Sequence, residues 1–230
     1  MARAVVIFGR SPSAEAASKQ LRRAARLFEA VAASWIRDGN TGDARVLVAC
    51  EPHHQPEFRA LGAKRFIDQA GRSFGDRLAG AAAAAFRRAE IVLITGIDAP
   101  SPGRRQVELA FASIERGEVR AAVAPSSDGG INFIAMRAGD LRFLRSFEAG
   151  DPHLLLRCRE WFGRELLELP AMSDIDSGAA VGRALTEHGW RRYRHLLQPA
   201  SFLELDATTE TFRLLTSPVS LRAPPPAPRP

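Results

Sequence analysis

Short apolar runs that alternate with alanine-rich stretches constrain the fold of this chain most. Residues 4–8, Arg45–Cys50 and Ile91–Thr95 are brief, rich in β-branched side chains and bounded by turn residues, as buried strands are. Helical spacing separates them, most clearly over residues 14–37 and 74–88. Strands alternating with helices predict an α/β fold with a mostly parallel sheet covered by helices on both faces.

The region around the sequence Asp128-Gly129-Gly130 departs from this alternation. Residues 120–124 and 131–136 both have strand character, but the connection between them is too short for a helical crossover. Asp-Gly between apolar runs is the strongest short-range signal for a β-hairpin turn. One of the two strands is therefore expected to run antiparallel or to lie elsewhere. Further elements are predicted, among them helices over residues 103–116, 154–162 and 178–197, a strand over 165–169 and a strand pair over 202–205 and 211–215.

Composition and cysteine usage indicate a cytoplasmic protein. The 230 residues are 46% hydrophobic and 25% charged, which is ordinary for a globular chain with a substantial core. Cys50 and Cys158 lie far apart and form no Cys-x-x-Cys motif, so two reduced thiols are expected. The first apolar run is too short for a signal peptide, and no run approaches the roughly 20 residues of a membrane span.

The basic charge does not by itself indicate a nucleic-acid partner. The formal net charge is +6, and all of the 32 basic residues except Lys19 and Lys64 are arginine. These arginines are spread along the chain, without the aromatic-interleaved stripe that stacks nucleic-acid bases. Arginine-favouring codon usage explains them more simply.

Polar loops follow the predicted strands, where ligands bind in open α/β sheets. Carboxylates converging at such an edge suit a hard divalent ion such as Mg²⁺. Each aspartate also has a local alternative, because Asp98 could initiate a turn and Asp176 could cap the helix predicted from Gly178. Asp174 and Asp176 alternate, so they point the same way if their segment is extended. The residues concerned are Gly9, Arg10, Gly96, Asp98, Asp128, Gly129, Gly130, Asp174 and Asp176.

Four short motifs occur in an order and spacing that resemble a known family. They are GDRL at residues 75–78, TGIDAP at 95–100, SDGG at 127–130 and DIDS at 174–177. Together they resemble the bacterial selenodomain-associated transferase family, over roughly residues 4–185. That family has a GT-A-like, Rossmann-like nucleotide-diphospho-sugar transferase fold and is similar to molybdopterin-cofactor and phospholactate guanylyltransferases.

The resemblance implies metal-dependent glycosyl or nucleotidyl transfer from a nucleotide or nucleotide-sugar donor to an unidentified acceptor. It implies that Asp98 and Asp176 hold Mg²⁺ or Mn²⁺, which neutralises the leaving diphosphate. Asp98 and Asp128 would be the catalytic residues, with Asp128 near the acceptor or ribose. The residues implied in binding the donor are Gly9, Arg10, Lys19, Arg22, Gly96, Gly129 and Gly130.

The chain departs from the family pattern chiefly in its first loop. Glu15 stands where the family has glycine, and Ser18-Lys19-Gln20 stands at its basic triplet. A carboxylate in a phosphate-binding loop repels the ligand, so the alternative is a catalytically degenerate protein that binds a ligand or acts as a scaffold. We expect the GT-A-like domain over residues 1–198, an appendage over 199–222 and a disordered proline-rich tail over 223–230. Whether the chain forms a homodimer stays open.

Overall fold

One mixed sheet organises the part of the chain that the computed structural model describes, residues 1–21, 24–184 and 186–196. Within those residues it has seven strands, in the spatial order β3-β2-β1-β4-β6-β5-β7. Their bounds are Arg3–Phe8 (β1), Arg45–Cys50 (β2), Phe66–Asp68 (β3), Ile91–Thr95 (β4), Ala121–Pro125 (β5), Ile131–Arg137 (β6) and Leu166–Glu168 (β7).

Strand β6 alone among these runs against its neighbours. β1 pairs in parallel with β2 and β4, β2 with β3, and β5 with β7, whereas β6 is antiparallel to both β4 and β5. β5 and β6 are joined through Asp128 and form the hairpin that Asp-Gly predicts. The predicted mostly parallel, mixed sheet is confirmed.

Helices cover both faces of the sheet, because alternate residues of each strand point to opposite sides. Val5 and Ile7 of β1 belong to one core cluster with Trp35 and Phe111, and Val6 belongs to the other. The described helices are Pro12–Ser18 (α1), Ala25–Gly39 (α2), Gln55–Ala60 (α3), Phe74–Phe86 (α4), Arg104–Glu115 (α5), Leu141–Leu144 (α6), Leu154–Phe162 (α7) and Gly178–Ala184 (α8).

The prediction of one continuous helix over residues 14–37 is wrong. Helix α1 ends at Ser18, and Gln20 adopts a left-handed conformation with φ of 57°. The amide of Leu21 then donates to the carbonyl of Ala16 at 2.7 Å, which closes the helix end. A left-handed residue stops an α-helix because its carbonyl leaves the helical direction, and glycine, the usual signal for this conformation, is absent here.

The C-terminal helix predicted over residues 178–197 is also interrupted. Helix α8 ends at Ala184, and a 3₁₀-helix follows over His188–Leu196. Trp190 and Tyr193 are buried by this second piece, so tertiary packing determines its course. The appendage over 199–222 and the tail over 223–230 lie outside the described residues, so the domain boundaries stay predictions.

Two smaller expectations concern the cysteines and membrane spans. Cys50 and Cys158 are both buried and not in a disulfide. No helix in the described segments combines the length and apolar character needed to cross a bilayer.

Candidate functional site

A cleft of about 710 Å³ opens where strands β1 and β4 end at their carboxyl sides. The hairpin between β5 and β6 and the segment after β7 form further parts of its wall. Its volume is within the roughly 300–1,000 Å³ range of small-molecule sites. The cleft therefore lies where an open α/β sheet binds its ligands.

Three aspartates meet on the floor of this cleft. Asp98, Asp174 and Asp176 each place a carboxylate oxygen within 4.8 Å of the others. Hard divalent cations such as Mg²⁺ take oxygen ligands, and Mg²⁺ typically uses one or two carboxylates together with substrate phosphates. The donor set fits such an ion. Asp174 was not among the metal ligands expected from the sequence, although its alternation with Asp176 was visible there.

The loop after β4 brings Asp98 into the cluster. A Cβ on Gly96 would lie 2.5 Å from the Asp98 carboxylate oxygen Oδ1, so glycine is needed for this close approach. The backbone carbonyl of Asp98 accepts a hydrogen bond from the Ile175 amide at 2.9 Å. This bond ties the β4 loop directly to the segment that carries the other two aspartates.

Side chains and backbone groups from distant parts of the chain hold the segment Ser173–Asp176. Ser173 donates its amide to the carboxylate of Glu187 at 2.8 Å, and its hydroxyl also contacts that carboxylate. The indole of Trp190 donates to the Ser173 carbonyl at 2.8 Å. Ile175 is fully buried, so Asp174 and Asp176 both turn to the opposite side, toward the cleft.

Burial and neighbouring carboxylates both act on the acidic groups of the cluster. Burial, followed by the charges of Asp98, Asp176 and Asp128, raises the pKa of Asp174 to about 7, although Ser126 donates a hydrogen bond to it at 2.9 Å. Burial is also the main cause that raises the pKa of Glu15. A carboxylate with an elevated pKa at a cleft is a common property of functional sites, and a bound cation would relieve the repulsion.

Lys19 inserts its ammonium group into this cluster. Its Nζ donates to Asp98 Oδ2 at 3.0 Å, to Asp176 Oδ1 at 2.5 Å and to the carbonyl of Ile175 at 2.9 Å. Glu15 lies 3.3 Å away, one helical turn earlier. Lys19 directly follows Ser18, the last residue of α1, and is the C-cap of that helix.

The rest of the first loop lies at one side of the cleft. Gly9 has open space where a side chain would stand, and its amide donates to the Ala49 carbonyl at 3.1 Å. Arg10 has a 58% exposed side chain, contacts Ser18 at 3.1 Å and lies 3.6 Å from Glu15. Arg22 lies outside the described residues. The predicted phosphate-binding roles of these residues stay predictions.

The hairpin turn places Asp128 and Gly130 on the cleft wall, with Gly129 packed behind them. The Asp128 carboxylate accepts the Gly130 amide at 3.0 Å, which stabilises the turn itself. Gly129 has φ of 95°, and a Cβ there would collide with the carbonyl of Pro152. The turn is therefore packed closely against the Pro152 backbone, and the predicted catalytic role of Asp128 is not tested by this geometry.

A third cation, Arg77, also faces the cleft. It follows a capping box at the start of α4, in which the Asp76 amide donates to the Ser73 hydroxyl at 3.0 Å. The GDRL motif pointed to this position, but sequence reasoning did not assign Arg77 to the site.

Carboxylates outnumber cations among the described residues that line the cleft. The cations are Arg10, Lys19 and Arg77, and the carboxylates are Glu15, Glu51, Asp98, Asp128, Glu148, Asp151, Asp174 and Asp176. An anionic ligand such as a nucleotide needs further positive charge to enter such a surface. The cluster of aspartates is the place where a divalent ion could supply it.

Solved structures resemble the whole described domain. A protein assigned as a nucleotide-diphospho-sugar transferase from Desulfovibrio desulfuricans is 20% identical, with a TM-score of 0.66 over 86% of this chain and 94% of its own. A CMP:2-keto-3-deoxy-manno-octonic acid synthetase complexed with CTP is 15% identical, with a TM-score of 0.53 over 80% of this chain and 96% of its own.

Glucosyl-3-phosphoglycerate synthase from Mycobacterium tuberculosis, in complex with Mg²⁺ and UDP, is 14% identical, with a TM-score of 0.50 over 90% of this chain and 81% of its own. At such low identities these likenesses establish the fold and no more. They confirm the GT-A-like architecture expected from the four motifs.

A family model also matches the chain, whereas no curated protein sequence does so significantly. The family is described as "Uncharacterized protein conserved in bacteria (DUF2064)", and its model matches residues 36–151. That range contains Asp98 and the Asp128 turn but neither the first loop nor Asp174 and Asp176. Because the match spans half of the chain, this protein belongs to that bacterial family, and the resemblance stated from its motifs is confirmed.

Proposed function

We propose that this protein is a divalent-metal-dependent transferase that uses a nucleotide-activated donor, in glycosyl or nucleotidyl transfer. The observation that carries the proposal is the convergence of Asp98, Asp174 and Asp176 within 4.8 Å at the end of β4, inside a cleft of nucleotide size. Relatives of this fold bound to CTP, or to Mg²⁺ and UDP, support the choice of ligand class.

In this proposal the aspartates hold Mg²⁺ or Mn²⁺, which neutralises charge developing on the leaving diphosphate. The open backbone at Gly9 lets phosphate oxygens approach the end of β1. Arg10 and Arg77 face the same cleft and pair with those oxygens. Asp128 and Gly130 line the same cleft, where the acceptor or ribose is bound, and Gly129 packs the turn against Pro152.

A second function has one specific observation in its favour. Glu15 lies in the first turn of α1 and, with Asp98 and Asp176, engages Lys19, so fewer cations face a phosphate than a donor-binding loop needs. A chain with this arrangement could bind a ligand without turnover. A cytoplasmic location is part of either proposal.

Thermal unfolding with nucleotides tests the proposal. CTP, GTP, UDP and the corresponding sugar nucleotides are added with Mg²⁺, with Mn²⁺ or with a chelator. A ligand at 100 times its Kd adds roughly 2.7 kcal/mol to the free energy of unfolding. We expect a metal-dependent increase in Tm with at least one nucleotide, and no increase with any of them would overturn the proposal.

Asp98→Ala is the matching variant, and Asp43→Ala is its control because Asp43 is exposed just before β2, outside the cleft. Asp98→Ala should abolish the metal dependence of the shift, whereas Asp43→Ala should preserve it. Donor consumption separates the two functions. Binding without release of nucleotide or diphosphate would favour the non-catalytic one.

A further inference from the structure

The ammonium group of Lys19 occupies the position that a cation would take among these aspartates. All three of its N–H donors are used, on Asp98, on Asp176 and on the Ile175 carbonyl. Its side chain is only 11% exposed. The arrangement is built from remote parts of the chain, since Lys19 lies 79 residues from Asp98 and 157 from Asp176.

A divalent ion and this ammonium group would compete for the same carboxylates. Asp98 and Asp176 are two of the three candidate metal ligands, and both already contact Lys19. Two cations bound to the same pair of carboxylates would repel each other within a few ångströms. Binding of an ion is therefore opposed as long as Lys19 keeps both of these partners, and it favours withdrawal of Lys19 from at least one of them.

Lysine is suited to such a withdrawal. Its charge is a point charge on a flexible four-carbon stem, in contrast to the planar fork of arginine. The cleft beside it is open, and Gly9 and Arg10 line the same space. If the Lys19 ammonium group leaves the carboxylates, a phosphate bound in the cleft offers it another negatively charged partner.

We propose that Lys19 is a tethered counter-ion of the aspartate cluster, which a divalent metal displaces and a donor phosphate then accepts. This inference rests on the proposed function. It makes Lys19 the residue that sets how tightly the free protein binds metal. It also makes metal and donor reinforce each other, because a phosphate that holds Lys19 removes the competitor of the metal.

Direct binding of Mn²⁺, followed by electron paramagnetic resonance or calorimetry without nucleotide, tests the displacement. Lys19→Met should bind Mn²⁺ at least about tenfold more tightly than the unaltered chain, because a competing charge is gone. Lys19→Arg keeps the charge and should bind weakly. Lys64→Met is the matched control, since Lys64 is the other lysine and is exposed, and it should leave binding unchanged.

Amine labelling of the unaltered chain gives a second measurement that needs no variant. Trace labelling with an acylating reagent, read by mass spectrometry, compares Lys19 with Lys64. Lys19 should react slowly in chelator and several-fold faster in Mn²⁺, while Lys64 should not change. This comparison keeps the proposal testable if Lys19→Met does not fold.

Two results would overturn the inference. One is equal or weaker Mn²⁺ binding by Lys19→Met, including the case in which no variant binds Mn²⁺. The other is a Lys19 labelling rate that is the same in chelator and in Mn²⁺. Failure here is distinct from failure of the proposed function, which is judged by the nucleotide-dependent Tm of the unaltered chain. If a nucleotide raises the Tm in a metal-dependent way but Lys19 labelling does not respond to Mn²⁺, only the counter-ion role of Lys19 is rejected and the proposed function stands.

Discussion

The hairpin turn and the segment after β7 both bring aspartates to one cleft, but they are held by different means. The turn around Asp128 is closed by bonds within it, although it also contacts remote residues: the Ser126 amide donates to the Gly130 carbonyl at 3.0 Å, and the Asp128 carboxylate accepts the Gly130 amide. The segment Ser173–Asp176 has no regular secondary structure. It depends on Glu187, Trp190 and the carbonyl of Asp98, which are remote in sequence or belong to another element.

The two aspartates differ in charge environment as a result. Asp128 is exposed and its carboxylate is used by its own turn. Asp174 is half-buried among like charges, and its pKa is raised to about 7. The Asp128 carboxylate is already hydrogen-bonded within its turn. The buried Asp174 carboxylate lies beside other carboxylates, so a bound cation would stabilise its charged form. The segment after β7 is therefore the stronger candidate for metal binding.

The largest effect is expected at the turn, from Gly129→Ala. The substitution combines a left-handed backbone with a collision against the Pro152 carbonyl, so it should lower the free energy of unfolding by about 3 kcal/mol. Gly150→Ala is the matched control, since Gly150 has φ of 73° and open space around its missing side chain. It should cost about 1 kcal/mol. Urea unfolding gives both values, and equal losses would show that the Pro152 contact contributes nothing.

A smaller effect of opposite sign is expected from Asp174→Asn. The carboxyl has its ordinary pKa of 3.8 in the unfolded chain and a pKa of about 7 in the folded one, so the unaltered chain loses stability as the pH rises between these values. Asparagine removes that loss. At pH 8 the variant should be more stable by about 1–2 kcal/mol, after allowance for solvent screening, and the gain should disappear below pH 4.

Asp128→Asn is the comparison for that experiment. Asparagine retains the side-chain oxygen that accepts the Gly130 amide, and the residue is exposed. Its stability should change by less than about 0.5 kcal/mol at either pH. A pH-independent response of Asp174→Asn in urea unfolding would contradict the difference drawn between the two aspartates.

The smallest effect is expected from Glu187→Gln, which weakens the hydrogen bonds that hold the segment Ser173–Asp176. The amide can accept one of the two hydrogen bonds from Ser173 but carries no charge, so about 1 kcal/mol of stability should be lost. Mn²⁺ binding should weaken with it, because Asp174 and Asp176 follow directly. Glu90→Gln, on an exposed residue just before β4, should change neither quantity. Unaltered Mn²⁺ binding by Glu187→Gln would remove Glu187 as a positioning residue.

The sequence predicted what local chemistry determines. The strands, their alternation with helices and the Asp-Gly hairpin all follow from patterns within a few residues, and the structure has them. Asp98 and Asp176 were also placed at one edge of the sheet, because the carboxyl ends of parallel strands meet there. The alternation of Asp174 with Asp176 placed Asp174 among the converging carboxylates, but the metal was assigned to Asp98 and Asp176 alone.

The sequence did not predict what distant contacts determine. Gln20 in a left-handed conformation ends α1, and no glycine or proline in the neighbouring sequence indicates this helix end. The position of Lys19 depends on that break, so a helix drawn through residues 14–37 gives no reason to place its ammonium group against Asp98. Glu187 and Trp190 hold Ser173 only after the C-terminal helix has itself been interrupted.

The long sequence separations within the cluster have a consequence for synthesis of the chain. Lys19 can meet Asp98 once β1 and β4 have paired, but Asp176 joins them only after 157 residues have followed Lys19. Chains fold from the N-terminus as they are made, and contacts of high sequence separation form late. A nascent chain that stops before β7 would carry a folded part of the sheet with an unfinished ligand set. The aspartate cluster is therefore complete only after β7 and the segment that follows it have been made.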